Sequence, residues 1–278
     1  MARISLFLVE QWAQVGNGLG IPGFTSPALA ALTSTRVAFI DGFSTNLRTY
    51  DFDGTDWAQI GNSLTITGVS VAALAALTST RVAFIDSGND ELRTYDFDGT
   101  DWAQVGNSLA IAGVGGPALA ALTSTRVCFI DGGNEELRTY DFNGTDWAQV
   151  GNSLVVSSFS LTALAALTST RVAFIDDSND ELRTYDFDGT DWIQVGNGLA
   201  ITTVFTSALA ALTSARVAFI DSVNDDLRTY DFNGTDWIKI GNELNISGAA
   251  TPALAVLTST RVAFIDDSNE SLRVYEYR

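Results

Sequence analysis

The chain has 278 residues, of which 46% are apolar and 17% are charged, and this composition is that of a globular protein and not of a disordered chain. Its formal charge of −18 at pH 7 repels phosphate backbones, so we expect no nucleic acid partner. No apolar run approaches the roughly 20 residues that span a bilayer, and we expect neither membrane insertion nor a signal peptide.

The first elements along the chain are an apolar run at residues 4–9 and a strand from Trp12 to Asn17. The phrase that begins at Trp12 returns every 45 residues with small changes, and each copy begins with tryptophan. The six tryptophans are Trp12, Trp57, Trp102, Trp147, Trp192 and Trp237. A period near 45 is typical of propellers and solenoid arrays, so the repeat is the organising feature of this sequence.

Each copy contains four short segments in a fixed order. The first copy reads ALAALT at 28–33, RVAFID at 36–41, LRTYDFD at 47–53 and WAQIGN at 57–62. All four have strand length and carry β-branched, aromatic or small residues, and Asp53-Gly54 is a strong hairpin signal. The sequence predicts an all-β fold, a six-bladed β-propeller with four antiparallel strands per blade, in one domain over residues 1–278.

The alanine-rich segment is predicted to be the innermost strand, because small side chains fit the crowded space beside a propeller axis. When the four strand types of each 45-residue unit are counted along the chain, the last blade takes three strands from residues 253–278 and its outer strand from Trp12 to Asn17. N- and C-terminal strands in one blade would then close the ring and protect a sheet edge. Residues 3–9 are surplus, and they would extend the outer strand, add a fifth strand or reach a neighbouring molecule.

The segment from Tyr50 to Trp57 and its copies carry a tyrosine seven residues before a tryptophan, across a hairpin turn. This phrase resembles the kelch repeat, whose additional diglycine is present here only as Gly132-Gly133. The resemblance implies a propeller fold and a tendency toward protein binding. It implies no catalytic residue.

Catalytic side chains are scarce. The chain has no histidine, one lysine and one cysteine, and Cys128 stands where the other copies have alanine. These counts remove the commonest general base and the usual zinc, copper and haem ligands, so we expect no enzyme activity, no cofactor and no metal site. Calcium remains an alternative, because the aspartates around Asp53 alternate as oxygen ligands do in calcium loops. The same residues fit a plain hairpin turn.

Among the connections between strands, two kinds vary between the six copies and two kinds are nearly constant. The loops after the second and the fourth strands vary, whereas the Thr-Ser-Thr and Asp/Asn-Gly-Thr-Asp turns are nearly constant. In an antiparallel meander the two variable loops fall on one side of the ring and the two constant turns on the other. We name these sides the variable face and the constant face.

Loops on a rigid scaffold are the usual place for recognition, and sequence drift is the alternative explanation for their variation. The sequence therefore predicts binding residues at the aspartates that border the variable face and at apolar residues of its loops. The predicted residues are Asp41, Asp86, Asp131, Asp176, Asp221, Asp266, Phe24, Val69, Val114, Phe159 and Phe205.

These observations predict a non-catalytic binding or assembly scaffold that uses the variable face, for example in a repetitive surface layer or fibre. Its partners would be another protein or further copies of the chain. The alternative is a multivalent carbohydrate-binding lectin, in which sixfold aromatic, arginine and aspartate positions would stack on and hydrogen-bond to a glycan.

Overall fold

The computed structural model describes residues 11–23, 25–40, 45–70, 72–131, 133–156, 163–176, 180–201, 207–221, 223–246, 252–265 and 270–278. The described residues form six antiparallel sheets of four or five strands each. We number the sheets as blades 1 to 6 in the order in which their first three strands occur along the chain.

The strand bounds follow the 45-residue period. The N-terminal strand is β1 (Trp12–Gly20). Blade 1 contains β2 (Ala28–Ala31), β3 (Arg36–Ile40), β4 (Asn46–Phe52) and β5 (Trp57–Thr65). Blade 2 contains β6 (Ala72–Ala76), β7 (Arg81–Asp86), β8 (Glu91–Phe97), β9 (Trp102–Gln104) and β10 (Leu109–Ala110). Blade 3 contains β11 (Ala118–Ala121), β12 (Arg126–Asp131), β13 (Glu136–Phe142), β14 (Trp147–Gln149) and β15 (Leu154–Val155).

Blade 4 contains β16 (Ala163–Ala166), β17 (Arg171–Asp176), β18 (Glu181–Phe187), β19 (Trp192–Gln194) and β20 (Leu199–Ala200). Blade 5 contains β21 (Ser207–Thr213), β22 (Arg216–Asp221), β23 (Asp226–Phe232) and β24 (Trp237–Asn245). Blade 6 contains β25 (Ala253–Thr258), β26 (Arg261–Ile265) and β27 (Ser271–Tyr277), together with β1. In blades 2 to 4 the outer strand is split into two pieces that both pair with the third strand.

The alanine-rich strands lie at the centre of the ring, as predicted. They line two cavities of about 370 and 130 Å³, and one leucine from each blade lines both cavities. These leucines are Leu29, Leu74, Leu119, Leu164, Leu209 and Leu254. The small alanine side chains let six strands approach the axis together, so the predicted architecture of six four-stranded blades is confirmed.

The buried apolar residues in the described ranges form six clusters, each between two adjacent blades. In the cluster between blades 1 and 2, blade 2 presents large side chains such as Phe84 and Trp102, whereas blade 1 presents smaller ones such as Ala38 and Ile40. Strand alternation creates these two unlike sides from one repeat, because successive side chains point to opposite sheet faces. The face of one blade that carries large side chains packs on the face of the next blade that carries small ones, and together they fill the space between the two blades.

Five of the tryptophans join neighbouring blades by a buried hydrogen bond. The indole N–H of Trp102 donates to Thr49 Oγ1 at 3.0 Å, and four other pairs repeat this contact at 2.8 to 3.1 Å. Trp57 faces blade 6, where Val274 stands at the threonine position. Its buried Nε1 has no hydrogen-bond partner among the described residues.

Val274→Thr is therefore expected to stabilise the protein by about 1 kcal/mol, because it supplies the missing acceptor in a shape that five other interfaces accommodate. Thermal unfolding of the variant should show the increase. The reverse change, Thr49→Val, should cost about 1–3 kcal/mol, because it leaves Trp102 Nε1 buried and unsatisfied. A Val274→Thr variant no more stable than the parent would contradict this explanation.

The ring is closed by the two ends of the chain, as the sequence predicted. β1 pairs with β27 from Trp12 opposite Tyr277 to Gly20 opposite Ser271. Beyond this ladder, Gln11 N donates to Arg278 O at 2.8 Å and Arg278 N donates to Gln11 O at 3.0 Å. These two residues lie at the positions of Asp53 and Asp56 in blade 1, so the chain ends meet where the other blades have a hairpin turn.

Candidate binding surfaces

The constant face is occupied by contacts that hold the ring together. Arg36 makes a two-pronged ion pair with Asp51, with N···O distances of 2.6 and 2.8 Å, and its guanidinium lies 6.0 Å from the centre of the Phe97 ring in the next blade. The same arrangement recurs with Arg81, Arg126, Arg171 and Arg216. One ring of arginines therefore has a structural role.

The outer hairpins are closed by the side chain at their first position. Asp53 Oδ1 accepts hydrogen bonds from the backbone N–H groups of Thr55 and Asp56 at 2.7 and 2.8 Å. Asp56 in turn accepts a hydrogen bond from Asn17 of the preceding blade at 2.9 Å. The carboxylates of the calcium-like segment are thus engaged in a turn and in a contact between blades, which favours the hairpin interpretation.

The pKa of the Asp53 carboxyl lies below its usual value, because the backbone N–H groups of Asp56 and Thr55 donate to the ionised form. The pKa values of Asp98 and Asp188 are lowered by the equivalent donors. A lowered folded-state pKa contributes stability above the unfolded-state pKa of about 3.9, and this contribution is lost as the pH falls through the folded-state pKa. Asn143 makes the same two hydrogen bonds without a charge.

The triple variant Asp53→Asn, Asp98→Asn, Asp188→Asn should therefore lose less stability than the parent when the pH falls below about 4. At pH 7 the two proteins should unfold at similar temperatures, since the asparagine turn already exists in blade 3. Unfolding midpoints across pH 2 to 7, a range on both sides of the usual aspartate pKa, would test this. Parallel pH profiles below pH 4 would contradict it.

Metal-ligating side chains do not gather in the described part of the chain. Within those ranges, no group of three or more histidine, cysteine, aspartate or glutamate residues is placed to hold a metal ion. Cys128 is fully buried between blades 3 and 4, and burial raises the pKa of its thiol. None of the described residues belongs to a helix that could cross a membrane.

The loops of the variable face are held at their bases by one repeated hydrogen bond. After each outer strand an aliphatic N–H donates to a carbonyl in the loop between the second and third strands, at 2.5 to 2.9 Å. The carbonyls belong to Thr45, Asp90, Glu135, Asp180, Asp225 and Glu270, which all have positive φ values between 44° and 56°. Further bonds join the loops, such as Val114 N to Asp90 Oδ1 at 3.0 Å.

Four of the six predicted aspartates lie at corresponding positions. Asp86, Asp131, Asp176 and Asp221 are each the last residue of the second strand of a blade, and each lies opposite an acidic residue of the third strand. The backbone thus places them at the same end of blades 2 to 5, next to the variable loops. Asp41 and Asp266 lie outside the described residues.

Of the predicted apolar residues, two are described and both are buried. Val69 is 8% exposed and Val114 is 6% exposed, and each packs in the core cluster beside its loop. They are core side chains and not surface contacts, because the loop after the outer strand turns inward between two blades. Phe24, Phe159 and Phe205 lie outside the described residues. Val223, an apolar residue that the sequence pattern does not mark, is 47% exposed in the loop that follows Asp221.

A second candidate surface lies between blades 1 and 2. A cleft of about 280 Å³ is lined by Thr65 and Thr67 of the outer strand and following loop of blade 1 and by Arg93, Tyr95 and Gln104 of blade 2. Arg93 is also paired with Glu91 at 2.7 Å. Arginine and tyrosine recur at these positions in all six copies, whereas Thr65 and Thr67 vary.

Comparisons with known proteins support the fold. No family model matches the chain, and a search of curated proteins finds no match, so the resemblance to kelch repeats stays a prediction. Among solved structures, the β-propeller domain of Cps50 (Swd1) from Myceliophteria thermophila has a TM-score of 0.61 at 10% identity, over 90% of this chain and 82% of that one.

Two further solved structures illustrate the same likeness. SapL1 lectin, in complex with alpha methyl fucoside, has a TM-score of 0.63 at 17% identity, over 89% of this chain and 91% of that one. A structural-genomics protein of unknown function from Bacteroides thetaiotaomicron has a TM-score of 0.64 at 12% identity, over 96% of this chain and 77% of that one. At these identities the likeness is one of fold.

Proposed function

We propose that this chain is a non-catalytic binding protein that presents the loops of its variable face to a protein partner or to further copies of itself. The observation that carries this proposal is the repeated anchoring of the loops. One backbone hydrogen bond fixes the base of each loop, as from Ile66 N to Thr45 O at 2.8 Å, while the residues beyond the anchor differ from blade to blade. Rigid bases with variable tips are typical of recognition loops.

The constant face supports the same proposal by contrast. Its repeated residues form ion pairs, hairpin caps and contacts between blades, so their constancy has a structural cause. The bases of the variable loops share one backbone hydrogen bond, so the loop sequence can differ from blade to blade while the base stays the same. The loop of blade 5 includes Val223, which is 47% exposed.

The proposal can be tested by giving the variable loops of three blades the same sequence. In one variant the loops at residues 42–46 and 222–226 receive the sequence of residues 87–91, and the matched control changes Ser34→Asn and Ser214→Asn in turns of the constant face. Each protein is immobilised, exposed to extract of the source organism with cross-linking, and its captured proteins are quantified. Loss of captured proteins with the loop variant alone supports the proposal. Equal capture by the parent, the loop variant and the control contradicts it.

A second candidate function is glycan binding, and the cleft beside Arg93 is the observation that favours it. Guanidinium, amide and hydroxyl groups can hydrogen-bond to sugar hydroxyls, and weak sites repeated in more than one blade would combine through avidity. SapL1 lectin, which has the same fold, was solved with alpha methyl fucoside. We therefore propose sugar binding in the clefts as the alternative to protein recognition.

Calorimetric titration with alpha methyl fucoside and a glycan array would test this alternative. Gln104→Lys and Thr65→Ala are suitable variants, because Lys239 and Ala110 occupy the same positions in other copies and the fold accepts them. Weaker binding by these variants, at unchanged unfolding temperature, would support the cleft. Absence of binding to any glycan at millimolar concentration would exclude it.

A further inference from the structure

The six interfaces between blades are not equal. Five of them share a hydrogen bond from a buried indole to a threonine, as from Trp102 to Thr49. The same five share an arginine that makes two hydrogen bonds to an aspartate and lies near an aromatic ring of the next blade, as Arg36 does with Asp51 and Phe97. Among the described residues, the interface between blades 6 and 1 has neither arrangement.

The first difference at this interface concerns the indole of Trp57. Trp57 is 6% exposed and lies in the same core cluster as Val274 of blade 6, which stands where the other five copies have threonine. Its Nε1 has no hydrogen-bond partner among the residues that the structure describes. A buried donor without a partner keeps its desolvation cost and gains no hydrogen bond in return. The interface is therefore less stable at this point than the other five.

The second difference concerns Arg261. It reaches Glu276 with Nη2 only, at 2.8 Å, and its buried Nε has no hydrogen-bond partner within the described ranges. Glu276 stands where the other copies have aspartate, and its second oxygen accepts a hydrogen bond from Arg278 at 2.8 Å. The arginines at the five other interfaces lie 5.7 to 6.0 Å from an aromatic ring centre of the next blade. Arg261 has no such contact with Phe52 in the described part of the chain.

Both differences originate in β27, which carries Val274 and Glu276. The blades still share other contacts, since Asn17 donates from Nδ2 to Asp56 at 2.9 Å and from its backbone N to Thr55 O at 2.7 Å. The interface between blades 1 and 2 has the same pair of contacts in addition to its indole and arginine contacts. The retained contacts therefore do not compensate for the missing ones.

We propose that the folded ring opens at the interface between blades 6 and 1 before it opens at any other interface. Local openings occur where few contacts oppose them, and this interface has the fewest of the repeated ones. Such an opening would leave β1 paired with β27, because both strands belong to blade 6. It would expose the apolar faces that carry Phe39 and Ala263. The proposal is independent of the proposed binding function.

A single buried thiol can report on each interface in turn. Cys128 is fully buried between blades 3 and 4, and the other interfaces have a fully buried alanine at its position. These alanines include Ala263 between blades 6 and 1, Ala38 between blades 1 and 2 and Ala218 between blades 5 and 6. Because the fold accepts cysteine at this position, Ala263→Cys and the two matched controls, Ala38→Cys and Ala218→Cys, should fold. Each is combined with Cys128→Ala, so that every protein has one thiol.

The measurement is the rate at which an excess of a small thiol-specific reagent labels each native protein. A buried thiol is inert until an opening exposes it, so the rate reports on the opening of its own interface. We expect the Ala263→Cys protein to be labelled about ten-fold faster than the parent and the two controls. The rate should depend only weakly on low concentrations of urea, because a local opening exposes little surface.

Val274→Thr and Glu276→Asp restore the residues of the other five blades at the weak interface. Added together to the Ala263→Cys protein, they should slow its labelling to the rate of the Ala38→Cys control. Equal labelling rates in all four single-thiol proteins would overturn the proposal. Fast labelling of the Ala263→Cys protein with the steep urea dependence of global unfolding would overturn it as well, and so would a rate that these two substitutions leave unchanged.

Discussion

Deletion of residues 1–17 should lower the midpoint of thermal unfolding by on the order of 10 °C. The deletion removes Trp12, which is 3% exposed and donates to Thr229 Oγ1 at 2.8 Å, and it removes most of the pairing with β27. Loss of a buried tryptophan costs about 3–5 kcal/mol, and each kcal/mol shifts the midpoint by about 2–4 °C in a chain of this size.

The matched control for this deletion removes residues 1–10 only, which leaves β1 in place. Its midpoint should fall much less, since the pairing of Trp12 with Tyr277 remains. Light scattering should also show more aggregation of the longer deletion, because β27 becomes an open sheet edge. Equal midpoints for the two deletions would mean that β1 does not close the ring.

Gly106→Ala should destabilise the protein by about 2–4 kcal/mol, from left-handed backbone strain and overpacking together. Gly106 has a φ of +69°, and an added Cβ would overlap Thr145 O of the next blade and come within 2.9 Å of Phe142 Cζ. Both neighbours belong to a well-packed contact between blades and cannot move away without loosening it. Denaturant unfolding would measure the loss.

Gly113→Ala separates the two causes, because Gly113 has a similar φ of +74° and no atom within 4 Å of the added Cβ. It should cost only about 1–2 kcal/mol, the backbone contribution. If both substitutions cost the same, the close approach between blades 2 and 3 would have no energetic importance.

The ring could be predicted from the sequence because the repeat fixes almost everything about it. The period gave the blade count, the small residues of the first segment located the axis, and the phase of the repeat identified Trp12 as the outer strand of the last blade. These inferences depend on the period and phase of the repeat and on side-chain size, which can be read directly from the sequence. They hold in the structure for that reason.

The contacts between blades could not be predicted in the same way. The sequence shows that threonine recurs before the tyrosine of the third strand, but not that Thr49 accepts a hydrogen bond from Trp102, 53 residues away. The burial of Val69 was missed because an apolar residue in a variable loop has the same sequence pattern whether the loop faces solvent or turns between blades. The hydrogen bond between Trp102 and Thr49 and the burial of Val69 both depend on how two neighbouring blades are placed relative to each other.

The meeting of Gln11 with Arg278 at a hairpin position also means that the order of blades along the chain is arbitrary. If a Gly-Thr link joined these ends in place of residues 1–10, the polypeptide would be a circle of six equivalent units, and it could be opened at any of five other hairpins without changing which blades are neighbours. Circular permutation would then move the chain ends around the rim, and with them the point at which another domain could be fused.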